Sequence, residues 1–214
     1  MMYIENIFVL IAAPLVACLF CVRGRPRFVV ACLLVGMVSC LASAYVSSFF
    51  AQMVGLDVVR AAVEIAPTVE EVIKLLPLLF YLVVLRPDVE RVDLAFIMVA
   101  VGFATMESAF YLGDSGISEP AVLLMRGLST AMMHLVCGVV IGYGLTRAWE
   151  YPWLRFAGTL GLLSLASAYH GLFNLLVAAG EPARVFVVVL PLVTLAILLI
   201  FRRQREKSKP KAAS

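Results

Sequence analysis

Five ionisable side chains, Glu70, Glu71, Glu107, His134 and His170, fall inside stretches of the chain that otherwise have the composition of lipid-spanning helix. The two histidines are the only ones in the sequence. A charge at the centre of a membrane helix is costly, so such groups face a protein interior and carry function by default. Convergent carboxylates and imidazoles in a dry interior suit hydrolysis. They can ligate a metal that keeps one position open, or a glutamate can deprotonate a water directly. Spacing alone does not choose between the two.

Each group also has a plainer reading. Thr68 and Glu71 have the spacing of a capping box, and acids in a first helical turn complement its dipole. Lys74 follows Glu70 by four residues and Glu71 by three, so it can pair with either. Glu107, about 7 Å inside its helix at 1.5 Å per residue, has no capping role. Arg126 and His134 share roughly one face, and His170 and Asn174 stack at i and i+4. An isolated histidine in an apolar helix is more often an interhelical hydrogen-bond partner than a ligand. Three glutamates and two histidines on helices that can converge are not explained that way.

The elements that must hold these groups follow from composition. The 214 residues are 63% hydrophobic and 14% charged, with mean hydropathy +1.03, which defines an integral membrane protein. Apolar runs near 4–22, 28–52, 67–86, 93–112, 121–146, 156–179 and 184–201 predict an all-α polytopic bundle of about seven transmembrane helices. We expect one transmembrane domain over 1–201, a motif-bearing core at 66–175, and a basic disordered tail over 202–214 lying against anionic lipid. Thirteen of the 17 Lys and Arg residues lie in alternate loops and the tail. By the positive-inside rule the N-terminus is outside and the C-terminus cytoplasmic. The first helix lacks a basic leading region and reads as a retained anchor.

In that topology Glu70, Glu71 and Glu107 lie toward the outer surface. His134 is near mid-membrane, and His170 is about 13 Å from its helix's outer end. Four helices can therefore converge in the outer half of the bilayer. Cys18 and Cys21 form a CxxC without companion ligands, and all five cysteines read as small hydrophobes. Gly138 and Gly142, and Ser164, Ala168 and Gly171, read as helix-packing surfaces.

The segment Glu70-Glu71-x-x-Lys74, the run Gly102-Phe103-Ala104 leading to Glu107, Arg126 eight residues before His134, and His170-Gly-Leu-Phe-Asn174 together resemble the four successive motifs of the PrsW intramembrane proteases. These are distant relatives of the type II CAAX prenyl endopeptidases. The resemblance covers roughly 66–175, and Ser108 departs from the asparagine usual after that glutamate. It implies a protease that cuts membrane-anchored proteins near the extracytoplasmic face, the best-known role being site-1 cleavage of an anti-sigma factor. It also implies zinc as the expected cofactor, with a metal-free glutamate mechanism left open.

On this reading Glu70 or Glu71 is the base, and His134 and His170 bind a metal or orient the water. Glu107 is a third ligand or fixes an imidazole tautomer, and Asn174 donates to the oxyanion. Lys74 and Arg126 are countercharges to the carboxylates. The expected partners are a membrane-anchored substrate and the bilayer, with no nucleic acid, in a bacterial or archaeal cell membrane. A proton-coupled transporter using the same groups as a relay is the alternative, but the chain shows no internal repeat of the kind such folds carry. A catalytically dead scaffold is a third class, disfavoured by the complete set of ionisable groups.

Overall fold

The computed structural model describes residues 4–115 and 119–207, and their regular structure is entirely helical. In chain order the helices are α1 (Ile4–Cys21), α2 (Arg25–Val54), α3 (Val58–Glu64), α4 (Ala66–Phe80), α5 (Val89–Ser115), α6 (Pro120–Ala148), α7 (Leu154–Ala178) and α8 (Arg184–Lys207). Six of them, α1, α2, α5, α6, α7 and α8, are long and apolar enough to cross a membrane.

The stretch expected as the remaining span, 67–86, is built differently. Helix α4 has 15 residues and includes Glu70, Glu71 and Lys74. Pro77 lies inside it and supplies no N–H, and the last turns relax into a π-helical segment, Tyr81–Leu85. Arg86, in the left-handed region at φ 44, ends that segment.

The ends of other elements also follow from local chemistry. Asp57 caps α3 by accepting the Arg60 N–H at 2.9 Å. Gly55 adopts φ 69, which a side chain would resist, and closes α2 through N–H bonds to Ala51 and Gln52 carbonyls. Thr68 does not cap α4. The helix begins at Ala66 after Ile65, without a side-chain cap, so Thr68 and Glu71 both lie inside it and Glu71 turns toward the core. The α3–α4 corner keeps Ile65 in helical geometry, which removes the extended residue that a capping box needs.

Packing centres on α5 and α6. Helix α5 lies against α2 and α6, and α6 also meets α7 and α8, while α4 packs against α2 and α7. The α2–α5 crossing is backbone to backbone at two glycines: a Cβ on Gly36 would sit 2.1 Å from the Val99 carbonyl oxygen, and one on Gly102 would sit 2.1 Å from that of Leu33. On α6, Gly138 and Gly142 receive Ala100 and Phe96 of α5, as the small-residue spacing predicted. On α7 the prediction holds for one residue of three: Ser164 and Ala168 are exposed, whereas Gly171 is half-buried against Pro67 and Val63. Phe20, Phe80, Phe156 and Phe186 are also exposed, as suits a molecule whose surrounding solvent is hydrocarbon. Arg202 on α8 pairs with Asp93 of α5 at 2.8 Å, so the basic stretch begins as helix and the helix continues to Lys207.

Candidate active site

The interior of the bundle gathers all five predicted groups. From α4, Glu71 and Lys74 share one face at i and i+3, and their side chains are only 2% and 6% exposed. Lys74 Nζ donates to Glu71 Oε1 at 2.5 Å and to His134 Nδ1 at 3.0 Å, and it lies 4.5 Å from the centre of the Phe103 ring. Its three hydrogens thus meet a carboxylate, an imidazole and an aromatic face, which is how a buried ammonium is accommodated. Glu71 Oε1 also accepts from His170 Nδ1 at 2.9 Å.

These contacts set the tautomers. An ammonium only donates, so His134 Nδ1 accepts and its Nε2 carries the hydrogen. That hydrogen is directed to Glu107 Oε2 at 2.5 Å. His170 spends its Nδ1 hydrogen on Glu71, which leaves a lone pair on Nε2. That lone pair faces Glu70 Oε2 at 3.6 Å, and neither atom has a hydrogen-bond partner. The two imidazoles stand edge to face, 5.0 Å apart between centroids at 89°.

Two buried acceptors facing each other repel unless a proton, a water or a cation lies between them. The donor chemistry fits a cation. Glu70, His134 and His170 each offer one ligand atom, all within 4.8 Å of one another. For bonds of 2.0–2.1 Å, tetrahedral geometry puts two ligands about 3.3 Å apart, close to the Glu70–His170 separation. His170 is already oriented by a carboxylate, as metal-binding histidines are. His134 would join only by releasing Lys74 or Glu107, since both its nitrogens are engaged.

The remaining predicted residues lie nearby with other contacts. Glu107 orients His134, one of the two roles expected for it. Arg126 stacks over Tyr111, its guanidinium 3.4 Å from the ring centre, and the ion pairs among the described residues do not include it. Asn174 donates its amide hydrogen to the Ala62 carbonyl at 2.8 Å, tying α3 to the helix that carries His170. Phe103 was named from sequence only as part of the run leading to Glu107 and was given no role, although it is buried against both Lys74 and His134. Its position four residues before Glu107, on the same helical face, was the available signal. Cys18 and Cys21 are free thiols on α1 and are not among the metal-capable residues.

Apolar helices enclose paired carboxylates and imidazoles with a buried lysine between them, an arrangement able to carry hydrolytic chemistry. Compared with protein-family models, the chain matches the PrsW family intramembrane metalloprotease over residues 24–200, and it belongs to that family. No significant match to a curated protein or to a solved structure was found. The protein is therefore an integral membrane protease.

Proposed function

We propose that this protease hydrolyses peptide bonds of membrane-anchored proteins near the extracytoplasmic face of a bacterial or archaeal cell membrane, as in site-1 cleavage of an anti-sigma factor. The observation that carries the reading is the partnerless pair Glu70 Oε2 and His170 Nε2. A water lying beside the line that joins them, within hydrogen-bond reach of each, would donate to both. As its oxygen attacks the scissile carbonyl carbon, its proton passes to Glu70, which returns it to the leaving amide nitrogen.

Glu71 and Lys74 keep the His170 lone pair aimed at that water. His134 would offer its Nε2 hydrogen to the oxyanion only by letting go of Glu107, which holds it in the resting site. Glu70, His134 and His170 are the residues that would hold an ion, and zinc is the metal suited to that donor set. When bound, it would polarise the carbonyl and acidify a bound water. A carboxylate has two oxygens, so Glu70 can contact an ion through one and take a proton through the other.

The placement at the outer face rests on the arginine and lysine distribution, which puts the N-terminus outside. The test is cleavage of a tagged single-span protein by purified enzyme in liposomes, with the cut mapped by mass spectrometry. A cut near the outer boundary that disappears in His170→Ala is the expected result. No cleavage by either protein, or equal cleavage by both, counts against the proposal.

A further inference from the structure

Arg126 stands where two cavities meet. The larger, about 210 Å³, lies between α6, α7 and α8 and is walled chiefly by Val122, Met125, Phe173, Leu176, Val187 and Val188. The smaller is lined by Glu107, Ser108 and Thr130, so it borders the site at Glu107, the partner of His134. Arg126 and Tyr111 line both. The larger volume is below the roughly 300–1,000 Å³ of pockets that hold whole small ligands, so it suits one or two side chains.

Its charge is also defined. At the rim, Arg184 and Glu181 neutralise each other at 3.0 Å. Glu107 is committed to His134. Stacking on Tyr111 uses the flat face of the Arg126 guanidinium and leaves the edge, with its parallel N–H donors, available to a carboxylate.

We infer that this chamber selects substrates by a bulky apolar side chain next to an acidic one, close to the scissile bond, with Arg126 as the specificity-determining residue. The inference rests on the proteolytic reading above and names the substrate class. Val188 and its neighbours take the apolar side chain, and Arg126 takes the carboxylate at the junction with the reacting groups.

The experiment uses the intact enzyme in liposomes. The substrates are single-span proteins with Asp, Ala or Lys scanned across three positions on each side of the mapped cut, each paired with Leu or Ala beside it. For wild type, Asp exceeds Lys at one position by about tenfold or more, and Arg126→Glu reverses that order. Val188→Trp, which fills the chamber, slows the Leu substrates and spares the Ala ones. An unchanged Asp-to-Lys ratio in Arg126→Glu, or a uniform loss across all substrates in both variants, overturns the inference and leaves proteolysis standing. If wild type cuts none of the substrates, the proteolytic reading itself falls, and the inference with it.

Discussion

Glu71 Oε1 receives both Lys74 Nζ, at 2.5 Å, and His170 Nδ1, at 2.9 Å, whereas Oε2 of the adjacent Glu70 receives nothing. On the proposed mechanism the two neighbouring acids of one helix have different tasks: Glu71 positions Lys74 and His170, and Glu70 keeps an oxygen for the reaction.

Glu71→Gln is therefore expected to behave as a folding lesion. It leaves the Lys74 ammonium buried without its partner, a cost of about 3–5 kcal/mol. Thermal unfolding in detergent should show a large drop in Tm. An unchanged Tm would mean that Lys74 does not depend on Glu71.

Lys74→Met should also destabilise, by stranding the Glu71 carboxylate. Combining it with Glu71→Gln removes both charges, so the double variant should be more stable than the sum of the single losses predicts, with a coupling of about 0.5–3 kcal/mol. Additive losses in a double-mutant cycle would deny the ion pair.

Gly102→Ala tests how the α2–α5 crossing places Glu107. Its Cβ would meet the Leu33 carbonyl oxygen at 2.1 Å, so the helices must move apart, at a cost of about 1–3 kcal/mol. Both Tm and cleavage rate should fall. Gly127→Ala, where a Cβ meets nothing within 4 Å, should leave Tm unchanged. Equal behaviour of the two variants would contradict the close approach.

The convergence of Glu70, Glu71, Glu107, His134 and His170 was legible in the sequence, because depth along each helix is a matter of counting residues. The pairing of Lys74 with Glu71 rather than Glu70 was not. Both spacings allow a helical contact, and only His170 arriving from α7 selects between them. The short helix α3 escaped notice because it is seven residues long and carries little periodic signal. Its presence turns the Asn174 amide toward Ala62, where stacking below His170 had suggested a catalytic donor. The stretch 67–86 read as an ordinary span because hydropathy does not register Pro77 or the π-helical end, Tyr81–Leu85, that continues α4 without a break.

For Asn174→Ala, loss of the contact to Ala62 should cost about 1 kcal/mol. Hydrogen exchange over 58–64 should accelerate, while cleavage falls only modestly. Unchanged exchange with a hundredfold loss of rate would restore the role of oxyanion donor.

The most direct test is the single-turnover cleavage rate of Glu70→Gln in liposomes, measured beside its Tm. Glutamine keeps the size of the side chain but cannot take up a proton, so the rate should fall by about 10²–10⁴ while Tm stays at the wild-type value. A folded Glu70→Gln protein that cuts within a few-fold of wild type would contradict the account.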